Sequence, residues 1–317
     1  AHARGYGIET HPIRLGGDLQ LHHAQRFAKL LARSAPRTLF IAHYPKIWLA
    51  GLAARRAGVS RVVTRIDLSS YHARNTKYRF ALTELVDASV ANADAVRRRI
   101  ASHFPELPPD RLLTIYDGVE PPPGAGEASS FRTQLAIPEG AFVVGTVARL
   151  HWRKRHDLVI RAVATLPDRV HLVIAGDGPE RETLTRLAHD SGAAGRVHLL
   201  GHRDDVGAVL GTLDLYVLAS DHEGMSNAML EAMTMAVPVI STPVSGADEA
   251  LEPDDRDVSP GEIVDWDADA LASRILWYSQ NPETREAMGR AAAERARTRF
   301  GFQRMIEQWE TLLVPPA

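Results

Sequence analysis

Two acidic residues, Glu223 and Glu231, are separated by seven residues in the segment SDHEGMSNAMLEAMTMAVPVIST, directly after the apolar run LDLYVLA. An apolar run, a glycine-containing stretch and a helical-period stretch, in that order, predict strand, loop and helix. A helix that begins just after Glu223 presents the unpaired N–H groups of Gly224, Met225, Ser226 and Asn227, with the positive end of its dipole. That is a site for an anion. Continuous helix between the glutamates separates them by about 12 Å, at about 1.5 Å per residue. The carboxylates of glycosidases stand roughly 5 to 9 Å apart, so this pair does not flank one glycosidic bond. It suits the two ends of a longer ligand, such as sugar, diphosphate and ribose in sequence. An amphipathic helix with two surface glutamates has the same spacing, and the pair alone does not separate the two readings.

Other motifs carry less. GDGPE, at 176–180, contains Gly-x-Gly without the third glycine of a dinucleotide fingerprint, and Pro179 suits the first turn of a helix, so the segment reads as a turn. Asp255-Arg256-Asp257 and Asp265-Trp266-Asp267 have the Asp-x-Asp form of metal-dependent transferases. They sit in a polar loop and at a helix start, where solvation and capping account for them. Fourteen histidines include no His-Glu-x-x-His or comparable ligand set, so no metal site is assigned. His22 and His23 read as helix-surface residues.

The elements that position these residues follow from alternating apolar runs and helical-period segments, the pattern of parallel α/β folding. Strands are predicted at 38–42, 61–65, 88–92 and 112–116, then at 142–148, 170–176, 196–200, 213–219 and 237–241. Between the two sets lies DGVEPPPGAGEASS, which continues neither period and reads as a linker. The expected fold class is α/β, with two Rossmann-like domains facing a cleft. The expected division is 1–125 for an acceptor-side domain, 126–300 for a donor-binding domain, and 301–317 for a terminal helix packing back on the first domain.

A chain of 317 residues with 45% hydrophobic composition is long enough for two cores. No apolar run approaches the roughly 18 to 20 residues that cross a bilayer, and AHARGYGIET lacks a signal-peptide core, so the protein reads as soluble. The absence of cysteine excludes disulfides and thiolate metal sites. Residues 1–118 hold 18 Lys/Arg against 9 Asp/Glu, and the remainder 19 against 30. A basic half within a near-neutral whole argues against a nucleic-acid partner and leaves room for an anionic acceptor or membrane surface. An ordinary solvated surface accounts for it equally.

The segment EGMSNAMLE, followed by PVIST and Glu249, resembles the E-x7-E signature of the family 4 retaining glycosyltransferases of GT-B fold. The resemblance continues through VARLHWRKRHDLVIRAV, LVIAGDGPERETLTRLAHDSGAAGRVHLLGHRDDV and FGFQRMIEQWETLL, and more weakly through HYPKIWLAGLAARRAGV, TRIDLSS and ANADAVRRRI. It implies that Arg149 and Lys154 grip the donor diphosphate, Glu231 binds the ribose hydroxyls, and Glu223 with the following amides holds the transferred sugar and phosphate. Ser226 and Asn227 would line this pocket, and Gly201, His202 and Arg203 would sit by the nucleotide base. Where many members have a histidine in Thr-x-His-Asp, this chain has Thr64, Arg65, Ile66 and Asp67. Arg65 and Asp67 become the acceptor-side candidates. The usual first strand and glycine-rich loop are also not found, which leads to an expectation of donor binding with poor transfer.

The function expected from the resemblance is metal-independent, retaining transfer of a sugar from a nucleotide-diphosphate sugar to a carbohydrate or lipid-linked acceptor, with no cofactor. Cell-surface polysaccharide, lipopolysaccharide or glycolipid synthesis is the expected setting. The expected location is cytoplasmic, either free or peripheral at the inner face of the membrane. A sugar-nucleotide epimerase of the same architecture and a non-catalytic nucleotide-sugar-binding subunit are the alternatives.

Overall fold

The structure, a computed structural model, describes residues 9–13, 15, 21–42, 46–66, 76–124, 128–253 and 258–314. Four strands, β1 (Thr38–Ile41), β2 (Arg61–Ile66), β3 (Ala88–Ala91) and β4 (Leu112–Thr114), form a parallel sheet in the order β1-β2-β3-β4. Six more form a second parallel sheet: β5 (Phe142–Val147), β6 (Val170–Ala175), β7 (Val197–Gly201), β8 (Leu215–Leu218), β9 (Val239–Ser241) and β10 (Gly261–Ile263). Their order is β10-β9-β8-β5-β6-β7. The nine strands expected from the sequence are all present. β10 was not expected, because three residues with Glu262 at their centre make no apolar run.

The chain divides into two compact units, one of Ala1–Asn92, Val96–Ile115 and Trp309–Ala317, the other of Ala93–Ala95 and Tyr116–Gln308. Each is an open parallel sheet flanked by helices, so the chain holds two Rossmann-like α/β domains.

In the first unit, Ala24, Ala28 and Leu31 form the buried stripe of the helix Leu21–Ser34 and join Ile47, Leu49, Val62 and Ile66 in one core. Asp87 fixes the entry to β2 by accepting from Val62 N at 2.7 Å and from the Arg55 guanidinium at 2.8 Å. The end of the last helix, Phe302–Leu313, belongs to this unit. There Thr38 Oγ1 donates to the Leu313 carbonyl at 2.8 Å, and Trp309 meets Phe40 edge-on at 4.9 Å.

In the second unit the central strands β5, β6 and β8 are largely apolar because helices cover both faces of a parallel sheet; all six residues of β6 are buried. The strand order reverses between β5 and β8, since the chain runs outward to β6 and β7 on one side and to β9 and β10 on the other. In open α/β sheets the loops leaving the carboxyl ends of two such strands bound a ligand crevice. Gly145 in β5 admits Leu213 here: a Cβ on it would stand 2.4 Å from Leu213 Cδ2.

Glu249 is 6% exposed. Its carboxylate accepts from Asp94 N at 2.8 Å, Ala95 N at 2.5 Å and the Tyr116 hydroxyl at 2.8 Å, so its bonding capacity goes to the fold. The Tyr116 hydroxyl is held above its ordinary pKa, chiefly by burial.

Candidate active site

The loop leaving β5 is rigid for reasons written in two glycines. A Cβ on Gly176 would stand 1.9 Å from the Ala148 carbonyl oxygen, and one on Gly178 would stand 2.3 Å from that of Leu150. GDGPE therefore lies directly against Ala148–Leu150, with Leu150 N donating to Asp177 O at 3.0 Å and Glu180 N to Leu150 O at 3.1 Å. It is a turn, as the sequence indicates, and its work is to clamp the backbone beside Arg149. His156, 3% exposed, adds a second clamp, with Nε2 at 3.3 Å from the Arg149 carbonyl oxygen. Burial, aided by the nearby Lys154 charge, pushes the His156 pKa down to about 4, which keeps the ring neutral. The Arg149 side chain is exposed, and no described residue binds its guanidinium.

A short turn, Trp152–Lys154, follows, and Arg155 then adopts a left-handed φ of 48°. This turn is tied to the loop leaving β8. Asp221 N donates to Arg153 O at 2.8 Å, and the Arg155 guanidinium reaches Asp221 at 3.3 Å and Asp157 at 3.1 and 3.2 Å. Lys154 Nζ pairs with Glu223 Oε1. Ser220 Oγ also donates to that oxygen at 3.1 Å, and Thr242 Oγ1 and Trp266 Nε1 hold the Ser220 carbonyl at 2.9 and 3.0 Å.

The helix after this loop begins later than the sequence analysis expected. It spans Asn227–Thr234, with Ser226 as N-cap accepting from Met229 N at 3.4 Å. Gly224 and Met225 thus belong to the loop and not to the first helical turn, and the helical spacing between Glu223 and Glu231 holds only for its second part. Close packing explains the delay, because Gly246 lies so near the loop that a Cβ on it would stand 1.9 Å from the Gly224 carbonyl oxygen. Met225 is buried beside it.

Glu231 lies on that helix, half-buried, and no described residue hydrogen-bonds its carboxylate. Burial raises its pKa. Below lies Tyr216 of β8, fully buried, whose hydroxyl is held protonated chiefly by burial and further by the charges of Glu223 and Glu231. Glu223 lies in the loop that leaves the carboxyl end of β8, and both carboxylates are near enough to Tyr216 for their charges to act on its hydroxyl.

Lys154 and Glu223 are thus paired, Arg149 lies on the same loop as Lys154, and Glu231 lies on the helix after Glu223, so all four are on the segments leaving β5 and β8, where the sheet reverses. Gly201 ends β7 with φ +74°, on the far side of β6. His202 is exposed and 3.3 Å from Asp204; Arg203 is held by a two-point pair with Asp205, at 2.7 Å for one bond, and lies 5.2 Å over the Phe131 ring. Arg65 is in β2, half-buried, in the other unit, and Asp67 lies outside the described residues. Asp267 caps the helix Ala268–Gln280 by accepting from Ala270 N at 2.8 Å, while Asp255, Arg256 and Asp257 lie outside the described residues. Among the described residues, no group of three or more His, Asp and Glu side chains is placed to hold a metal ion. Gly246, Tyr216, Ser220 and Asp221 were missed in the sequence; Gly246 left a trace, as a lone glycine just after PVIST.

Residues 128–295 match the family described as glycosyl transferases group 1, and residues 1–98 match glycosyl transferase 4-like proteins. The chain belongs to the group 1 glycosyl transferases. It is 39% identical over 45% of its length to the lipopolysaccharide core biosynthesis glycosyltransferase LpsE of Rhizobium meliloti, of which the match covers 41%. It is 29% identical over 98% of its length to the GDP-mannose-dependent alpha-(1-6)-phosphatidylinositol monomannoside mannosyltransferase of Mycobacterium tuberculosis, covering 82% of that protein. The chain spans less than two thirds of the length of the first curated relatives it matches. Anabaena HepE, solved with UDP and glucose, shares its fold with a TM-score of 0.83 at 21% identity, over 99% of this chain and 88% of that one. The fold of this group 1 member is GT-B, and the reversal between β5 and β8 lies within the segment that carries the family match.

Proposed function

We propose that this chain moves a sugar from a nucleotide-diphosphate sugar to an acceptor hydroxyl with retention of anomeric configuration and without a metal ion. The observation that carries the reading is the Lys154–Glu223 pair at the sheet reversal, with Arg149 and Glu231 on the same two segments leaving β5 and β8, where no described residue binds the Arg149 guanidinium or the Glu231 carboxylate. A diphosphate leaves readily only if its developing charge is neutralised by donors already in place. Arg149 and Lys154 supply cations, and the amides of the loop and helix start beside Ser226 supply dipoles. Glu231 accepts from the ribose hydroxyls, and Glu223 orients the sugar hydroxyls. The acceptor oxygen attacks the anomeric carbon as the bond to diphosphate breaks on the same face, and its proton passes to a departing phosphate oxygen. No enzyme nucleophile is needed.

The names of the relatives support synthesis of lipopolysaccharide, surface polysaccharide or glycolipid, with a carbohydrate or lipid-linked acceptor. The use of a nucleotide-sugar donor favours a reaction in the cytoplasm, with the acceptor at the inner membrane face. The test is release of nucleoside diphosphate from UDP-glucose or GDP-mannose, with and without a panel of glycoside and lipid-linked acceptors, in EDTA. Acceptor-dependent release that survives EDTA is expected. Interconversion of the donor sugar without nucleotide release would replace this reading with the epimerase, and activity restored only by Mg²⁺ or Mn²⁺ would overturn the metal-free mechanism.

A further inference from the structure

A cavity of about 490 Å³ opens beside the Trp152–Lys154 turn, between the amino-terminal ends of the helices His156–Ala164 and Arg181–Asp190. That volume is within the range of small-ligand sites, about 300 to 1,000 Å³. Its lining divides into three parts. Leu184 and Leu187 give an apolar floor, and Trp152, 57% exposed, gives an aromatic wall. Glu180, Thr183 and Arg161 give polar groups, and no described residue bonds the Glu180 carboxylate, the Thr183 hydroxyl or the Arg161 guanidinium.

The other charges are already spoken for, since Arg155 is bound to Asp157 and Asp221. An anionic ligand would meet the carboxylates of Asp157, Glu180 and Asp221 in the same wall, which disfavours phosphate. An aliphatic ligand would leave Glu180 and Arg161 desolvated without partners. A pyranose satisfies all three parts, because its C–H face stacks on an indole and its hydroxyls both donate to a carboxylate and accept from a guanidinium. We propose that this cavity is a second carbohydrate site, which binds one pyranose unit of a glycan apart from the crevice at the strand reversal. Trp152 remains 57% exposed although the Arg153 guanidinium lies 5.1 Å over its ring and His151 lies 5.6 Å beside it, and a stacked sugar ring would cover more of the indole.

The test is saturation-transfer difference NMR on the full chain, with methyl α-D-glucopyranoside, methyl α-D-mannopyranoside and methyl β-D-galactopyranoside as probes. UDP and GDP are both present in excess. At least one probe should show transfer to its ring protons, reduced at least tenfold in Trp152→Ala and Glu180→Gln and retained in Glu223→Ala, which removes the carboxylate assigned to the donor sugar. Trp152 and Glu180 are accessible side chains, so circular dichroism melts of these variants should match the parent. Loss of signal in Glu223→Ala would assign the sugar to the donor crevice and overturn the second site. Absence of signal from all three probes, or signal indifferent to Trp152→Ala, would also overturn it, and neither result bears on donor binding.

Discussion

Lys154 and Glu223 form an ion pair that joins the loop leaving β5 to the loop leaving β8, across the place where the strand order reverses. Their side chains are 27% and 15% exposed, so the pair is partly shielded from solvent. A bound diphosphate would compete with Glu223 for the ammonium, and departure of the nucleotide would give it back. Replacing Lys154 or Arg149 by alanine should lower turnover by about 10² or more, as for loss of one preorganised donor to a developing anion. Steady-state kcat for sugar transfer measures this, and a Lys154→Ala enzyme with parental kcat would remove the residue from the site.

Glu231 sets function against stability. Its raised pKa means the folded state holds a proton more readily than the unfolded chain, so the stability linked to it is present at low pH and is lost as pH rises through the folded value. At neutral pH the buried carboxylate is a cost that Glu231→Gln removes. The variant should melt higher than the parent at pH 7.5, with the difference closing below the ordinary carboxylate range. It should also bind nucleoside diphosphate about 10 to 150 times more weakly, the equivalent of roughly 1.5 to 3 kcal/mol for a charged hydrogen bond. Unchanged affinity by calorimetry would reject the ribose role.

His156 makes the opposite case. A folded pKa of about 4 lies below the value of an unfolded histidine, near 6.5, so its contribution is full above pH 6.5 and falls away as pH drops toward 4. The amount is on the order of 3 kcal/mol. Urea denaturation from pH 7.5 to 4.5 should show this loss, and His156→Leu should flatten the curve across that window while lowering stability at pH 7.5. A parallel decline in the variant would place the titration elsewhere.

Gly246→Ala tests the packing that shapes the loop. Its new methyl would stand 1.9 Å from the Gly224 carbonyl oxygen, whereas Gly195 has nothing within 4 Å of its added Cβ. Overpacking of this kind costs roughly 1 to 3 kcal/mol. Gly246→Ala should lose that stability and at least tenfold in nucleotide affinity, while Gly195→Ala stays near the parent in both. Equal behaviour of the two would show that the loop does not depend on this contact.

Local pattern carried the central strands because a parallel strand buried on both faces must be a largely apolar run, as FVVGTV and VHLVIA are. β10 escaped for want of such a run. The partners Glu223 and Lys154 were legible as types at a spacing, but their pairing was not, since it depends on the order β8-β5 in the sheet. Gly246 is informative only once Gly224 is seen against it, and Tyr216 looks like any strand residue until the charges of Glu223 and Glu231 are found to act on its hydroxyl. The helix start moved from Gly224 to Asn227 for the same reason: a long-range contact overrode a local signal.

The central claim is that one nucleoside diphosphate binds where the second sheet reverses. Calorimetric titration of UDP and of GDP into the parent, Arg149→Ala, Lys154→Ala and Glu231→Ala addresses it most directly. The expected result is one-to-one binding of at least one of the two nucleotides to the parent, weakened at least tenfold in each variant, with Arg149→Ala melting as the parent does. Failure of both nucleotides to bind the parent, or parental affinity in all three variants, would contradict the account.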